Sequence, residues 1–299
     1  MSITNKEFLH GLQEYSEFKT ESSVAQNVKS FLDILYAEDQ KSAFVNHFLP
    51  KDLANIYGSD NFEQDLIVYL LNNYEGNDTR YFRFIKDFIK KDKDMNILSD
   101  ALSRSQIKSK IWLVNELEKI SNHYGNVVLL AGWYGQLVEL FGDSVDKITF
   151  KKFRNVEIDI DACNESDYNF NLRRMDDYKV KSIHGDINNL NLHGSGYQWD
   201  VENFKSEEKY NEQFYPDLII NTSAEHMTTE WFNQIRFNPW KDHKPIVAIQ
   251  SNNYFDLEEH VNCVHSINHM KKIFPMSKIL YEGELQLKGY KRVMLIGEA

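Results

Sequence analysis

Val127-Val128-Leu129-Leu130-Ala131-Gly132-Trp133-Tyr134-Gly135 is a continuous apolar run that stops at a glycine and meets a second one three residues on. A strand buried on both faces gives such a run, because neither side of its pleat meets water. Gly132 and Gly135 would let the backbone approach a ligand where a Cβ would clash. Leu137, Val138, Leu140 and Phe141 follow as the apolar side of a short helix. Strand, glycine turn and helix open an α/β unit.

Downstream, short apolar segments recur. Residues 147–150 and 156–160 are two strand candidates, the second opening the stretch VEIDID; residues 183–186 (IHGD) are a third site of pairing, 217–221 (DLIIN) a fourth and 246–250 (IVAIQ) a fifth. Helical patterns at 227–235 and 260–274 separate the later ones. Strands alternating with helices imply parallel pairing through right-handed crossovers. Residues 278–287 and 291–297, joined by Lys288-Gly289-Tyr290, read instead as an antiparallel hairpin. The expected fold is α/β: a Rossmann-like, mostly parallel seven-stranded sheet closed by an antiparallel C-terminal hairpin, occupying 121–299.

Upstream, apolar residues recur at helical spacing, as in Val24, Val28, Phe31, Leu32 and Leu35, and again along a last helix over 102–120. Residues 1–120 therefore read as a helical N-terminal domain. Composition bounds the rest. The 299 residues carry 34 Lys+Arg against 45 Asp+Glu, a net of −11, which argues against a protein that coats nucleic acid through its phosphates. At 42% hydrophobic the chain buries a real core. Cys163 and Cys263 are too few for a disulfide scaffold, and Cys163 reads as a structural thiol. The start MSITNKEFLH has no basic-then-apolar signal, and no apolar run approaches the roughly 18 residues of a membrane span. A cytoplasmic protein acting away from membranes is the expectation; oligomeric state is not legible.

In an open α/β sheet ligands bind beyond the carboxyl ends of the strands. After the second strand, Asp159 and Asp161 are placed to accept hydrogen bonds from ribose hydroxyls, with helix capping by Asp161 as the plain alternative. Asp186 could meet an adenine amino group or cap a helix. Asn221-Thr222-Ser223-Ala224-Glu225-His226 follows a buried strand, and its polar groups need partners. His226 could accept a proton near neutral pH, or the Glu225-His226 pair could simply cap a helix. Gln250, Asn252 and Tyr254 could line a substrate pocket. Gln106, Ser109 and Lys110 share the helix entering the first strand; a solvated face is the favoured reading. The polar link over 186–215, with His193 to Tyr197, is long enough to be a lid. His265 and His269 have metal-ligand spacing, but no clear third ligand accompanies them or His260, so no metal is expected.

Taken in order, the stretch from Val127 to Gly297 resembles a class I S-adenosylmethionine-dependent methyltransferase domain. The resemblance rests on the glycine turn, the acids after strand two, Gly185-Asp186, the Glu225-His226 pair and the closing hairpin. It implies S-adenosylmethionine as cofactor, with its methionine part near Gly132, Trp133, Tyr134 and Gly135, ribose on Asp159 and Asp161, and adenine near Asp186 and Ile187. Asn221 and Ser223 would complete the cofactor site, Glu225 and His226 would be catalytic, and Gln250, Asn252 and Tyr254 would meet a small-molecule or protein acceptor. Two alternatives share the fold: aminocarboxypropyl transfer, as in nicotianamine-synthase-like proteins, and a catalytically inactive scaffold in which Trp133 and Tyr134 fill the pocket.

Overall fold

The computed structural model describes residues 104–143, 148–172, 179–194, 196–202, 209–240, 244–287 and 289–299. The helices expected over 1–103 lie outside the described residues. In chain order the elements are helix α1 (Arg104–Ile120), strand β1 (His123–Leu130), helix α2 (Gln136–Asp143), β2 (Thr149–Glu157), α3 (Ile160–Leu172), β3 (Val180–His184), β4 (Asn191–His193), β5 (Gly196–Glu202), β6 (Lys209–Phe214), β7 (Leu218–Asn221), α4 (Glu230–Phe237), β8 (Ile246–Asn252), α5 (Ile267–Ile273), β9 (Lys278–Gln286) and β10 (Lys291–Glu298), with 3-10 turns at Ile187–Asn189 and Ala224–His226.

Seven strands form one sheet in the order β3-β2-β1-β7-β8-β10-β9. β1 pairs in parallel with β2 and with β7, β2 with β3, and β7 with β8. β10 runs antiparallel to both β8 and β9. This is the expected Rossmann-like, mostly parallel seven-stranded sheet, antiparallel hairpin included. The chain winds outward from β1 to β3, then returns to β7 on the other side of β1. That reversal puts a crevice between the carboxyl ends of β1 and β7, where ligands of such sheets bind.

Burial explains why the strands form where they do. Residues 127–130 are buried on both faces, as the apolar run requires. β10 is buried almost throughout, whereas β9 alternates and presents Lys278, Glu282 and Glu284 along the open edge, where charge discourages pairing with another chain. On one face of the sheet Val128, Val156, Ile219, Val247 and Val293 pack with Trp231 and Phe232 of α4 and Phe274 at the end of α5. The three rings meet at 5.3–5.9 Å, edge-on or tilted.

Four expectations are corrected. Residues 147–150 and 156–160 are not separate strands: Thr149–Glu157 is one, running through Arg154 and Asn155. The long link after β3 is no polar lid. β4, β5 and β6 form a three-stranded antiparallel sheet whose Tyr197, Trp199, Val201 and Phe214 enter the main core. The helix expected over 260–274 spans only Ile267–Ile273. The helix face carrying Ser109 and Lys110 is not solvated, since both residues are buried. Most of α1 belongs to the compact unit Ser109–Ala299, where its Trp112 indole donates to the Tyr281 hydroxyl at 3.0 Å. Among the described residues no helix is long and apolar enough to cross a membrane.

Candidate functional site

At the end of β1 the backbone turns through left-handed conformations at Ala131 (φ 51°), Trp133 (φ 51°) and Gly135 (φ 68°). For the two non-glycine residues this costs about 1–3 kcal/mol each, and it persists only where surrounding contacts fix it. Glu157, the last residue of β2, does much of the fixing. Its buried carboxylate accepts from the Trp133 amide at 2.8 Å and from the amides of Ile158 and Asp159 at 2.8 and 3.1 Å. The Trp133 carbonyl accepts from Asn155 Nδ2 at 3.0 Å and Ser166 Oγ at 3.2 Å. The turn is thus clamped to β2 and α3 through both backbone groups of one residue.

Gly132 is required for a reason other than ligand approach: a Cβ there would collide with the Asn155 and Leu129 side chains. Gly132→Ala is expected to cost about 1–3 kcal/mol of stability by overpacking, read as a lowered urea midpoint. An unchanged midpoint would mean that Asn155 swings aside freely. Tyr134 is buried beneath the turn, with the half-buried Trp133 ring tilted against it at 5.0 Å. Burial, reinforced by the charges of Asp159, Glu165, Asp161 and Glu157, pushes its phenol up to about 12. The carboxylates of Asp159, Glu165, Asp161 and Glu157 thus all lie near the turn.

Of the acids expected to meet ribose, Asp159 caps α3, its Oδ1 accepting from the amides of Asp161 and Ala162 at 2.8 and 3.2 Å. Capping falls to Asp159 rather than Asp161. Both carboxylates are exposed, and Asp159 Oδ2 accepts nothing among the described residues. Cys163, behind them, is buried, and burial pushes its thiol up to about 12, as befits a structural residue.

After β3, Asp186 caps the 3-10 turn through both oxygens, accepting from Asn188 N at 2.9 Å and Asn189 Nδ2 at 2.7 Å. Ile187 is buried. No local pattern marks Asn188: its backbone is held by Asp186 and Gln234, while its side-chain Oδ1 is enclosed and accepts no hydrogen bond. A buried acceptor without a donor is uncommon and calls for an explanation.

After β7, Asn221 Oδ1 accepts from the Ser223 amide at 2.9 Å, which starts the turn carrying Glu225 and His226. Ser223 makes no side-chain cap. Glu225 is buried in an ion pair with the equally buried Arg292 of β10, Nη1 to Oε1 at 2.9 Å, and Oε1 also accepts from Asn252 Nδ2 at 2.7 Å. His226 lies at the surface beside His260, ring centroids 4.6 Å apart. Partial desolvation lowers its pKa; Glu225 opposes this and His260 and Arg292 reinforce it, so the ring is neutral at pH 7. Of the expected acceptor-binding residues, Gln250 is fully buried and donates to the Ser109 carbonyl, and Asn252 is committed to Glu225 and the Tyr254 amide. Tyr254 alone of the three is exposed. His265 and His269 do not form a metal pair: the rings stack on each other, and His269 Nδ1 accepts from the His265 amide.

No family model matches this chain, and no curated protein matches it. Solved structures similar to it include an S-adenosylmethionine-dependent methyltransferase from Clostridium acetobutylicum ATCC 824, at 14% identity over 68% of this chain and 96% of that one, with a TM-score of 0.45. A SAM dependent methyltransferase from Aquifex aeolicus is 12% identical over 62% of this chain and 88% of that one, TM-score 0.41. A methyltransferase from Galdieria sulphuraria is 14% identical over 49% of this chain, TM-score 0.36, and this chain spans only 46% of its length. The fold assignment rests on the strand order, and these likenesses stand beside it.

Proposed function

We propose that the chain is an S-adenosylmethionine-dependent methyltransferase whose cofactor lies across the carboxyl ends of β1, β2 and β3. The observation that carries this reading is the strained turn at Ala131–Gly135, clamped by the buried Glu157 carboxylate at the sheet's reversal point. The residues around it suit an adenosyl sulfonium. The carboxylates gathered around Tyr134 favour a cation, the exposed carboxylates of Asp159 and Asp161 suit a diol, and the enclosed Asn188 Oδ1 suits an exocyclic amine. The bound cofactor would supply an electrophilic methyl group.

The rest falls to the protein. Asp159 and Asn188 would orient the cofactor, and Tyr134 and Trp133 would exclude water from it. The acceptor, a small molecule or protein given the acidic chain, would approach from His226 and Tyr254. The neutral His226 ring could take a proton from an acceptor hydroxyl. No observation favours aminocarboxypropyl transfer.

Calorimetric titration of the full chain with S-adenosylmethionine and S-adenosylhomocysteine tests this. Both are expected to bind, and Asp159→Ala and Asn188→Ala are each expected to weaken binding roughly five- to tenfold, the loss of a hydrogen bond worth about 1 kcal/mol. Binding of neither ligand would overturn the reading in favour of an inactive scaffold.

A further inference from the structure

One carboxylate oxygen of Glu225 and one ring nitrogen each of His226 and His260 lie within 4.8 Å of one another. Glu225 and His260 are each held in a way that leaves a ligand atom over, and His226 is exposed beside them. Arg292 and Asn252 occupy Glu225 Oε1, while Oε2 is enclosed and accepts no hydrogen bond. His260 Nδ1 lies 2.6 Å from the Tyr254 carbonyl, which can only accept. Nδ1 therefore carries the proton, and Nε2 keeps its lone pair. A second ring nitrogen donating to a backbone carbonyl is the usual support of a metal-binding histidine. The loop bearing His260 is pinned to the Glu225 turn, since the Asn262 amide donates to the Glu225 carbonyl at 3.0 Å and Ser251 Oγ to the Asn262 carbonyl at 3.1 Å.

The geometry points to Glu225, His226 and His260 as the protein ligands of a divalent transition-metal ion. Two imidazoles and one carboxylate select a borderline ion such as Zn²⁺ over Mg²⁺, which prefers oxygen. Three protein ligands leave coordination positions open, and His226 faces solvent. The site stands at the carboxyl ends of β7 and β8. On the methyl-transfer reading, an acceptor oxygen would occupy an open position and lose its proton more readily there. His226 would then serve as a ligand instead of taking the proton. Metal binding itself does not depend on that reading.

The test is titration of the metal-stripped full chain with Zn²⁺ by calorimetry and with Co²⁺ by visible absorption, both without cofactor. One ion per chain is expected, with d–d bands for Co²⁺ and no displacement of Zn²⁺ by equimolar Mg²⁺. His226→Ala and His260→Ala are each expected to weaken Zn²⁺ binding at least tenfold, and His265→Ala to leave it unchanged. His260→Asn keeps a donor for the Tyr254 carbonyl without the ring Nε2, so it separates loss of the ligand from loss of the loop; its binding should be as weak as that of His260→Ala. Absence of stoichiometric binding, binding unaltered in His226→Ala and His260→Ala, or full retention in His260→Asn would overturn the site. S-adenosylhomocysteine is titrated separately, so failure of either arm leaves the other standing.

Discussion

Arg154→Met is expected to lower the unfolding free energy by about 3–5 kcal/mol, the cost of taking from a buried charge its two-pronged main partner. Arg154 is fully buried in β2, and its guanidinium grips Glu212 of β6 with two nitrogens, Nε to Oε2 at 2.7 Å and Nη2 to Oε1 at 2.9 Å. Trp199 Nε1 donates to the same carboxylate at 3.1 Å, and Lys152 reaches it from a more exposed position at 2.8 Å. This cluster joins the three-stranded sheet to the main one, so the damage should be global and visible as a lowered urea midpoint. Arg154→Met with Glu212→Leu should recover most of the loss, because a well-packed apolar replacement of both charges is often neutral. If the double variant is no more stable than the single one, the uncompensated charge is not the cause.

The same pair has a pH signature. Burial alone would push the Glu212 carboxyl up, but the hydrogen bonds and charge of Arg154, with Lys152 and Trp199, outweigh it and bring it to about 2, from an ordinary 4.5. A carboxyl depressed on folding stabilises the fold fully above its unfolded value and loses that contribution as pH falls through the folded one. Wild-type stability should therefore decline between about pH 4.5 and pH 2, and that component should vanish in the double variant.

Arg292→Met is the second large effect, also about 3–5 kcal/mol. It strips Glu225 of its countercharge inside the protein and frees the Thr222 carbonyl, to which Arg292 Nη1 also donates at 2.9 Å. For a unit of this size the melting temperature should fall on the order of 10 °C. Adding Glu225→Met should restore most of it. On the proposed metal site, the restored protein lacks the carboxylate ligand, so Zn²⁺ binding should stay weak although stability returns; restored stability with full Zn²⁺ binding would remove Glu225 from the ligand set.

These pairs also mark the limit of what the sequence discloses. β1 is legible because residues 127–130, the half of it that ends at the site, are an unbroken run of buried apolar side chains. β2 is not, because Arg154 and Asn155 interrupt the apolar pattern, and their burial makes sense only with Glu212, 58 residues away, and with the Trp133 carbonyl. In VEIDID the three acids look alike. The end of β2 decides between them: Glu157 is its last residue and turns inward to clamp the glycine turn, while Asp159 and Asp161 lie beyond it, at the start of α3, and stay exposed. The helix read over 260–274 failed because apolar spacing at 261–264 serves a loop held by side chains, with His260 and Cys263 both bonded to the Tyr254 carbonyl. Glu225-His226 was visible as a polar pair after a buried strand. Its partners Arg292 and His260 come from a hairpin and a loop that local pattern does not connect to it.

The return of the chain from β3 to β7 also sets the order in which the protein is made. β1 can pair with β2 as soon as both have left the ribosome, but its other edge waits for β7. The Asn126 amide and its acceptor on Asp217 are 91 residues apart. At about 5–20 residues per second, the apolar edge of β1 stands open for roughly 5 to 20 seconds while the three-stranded insert is synthesised.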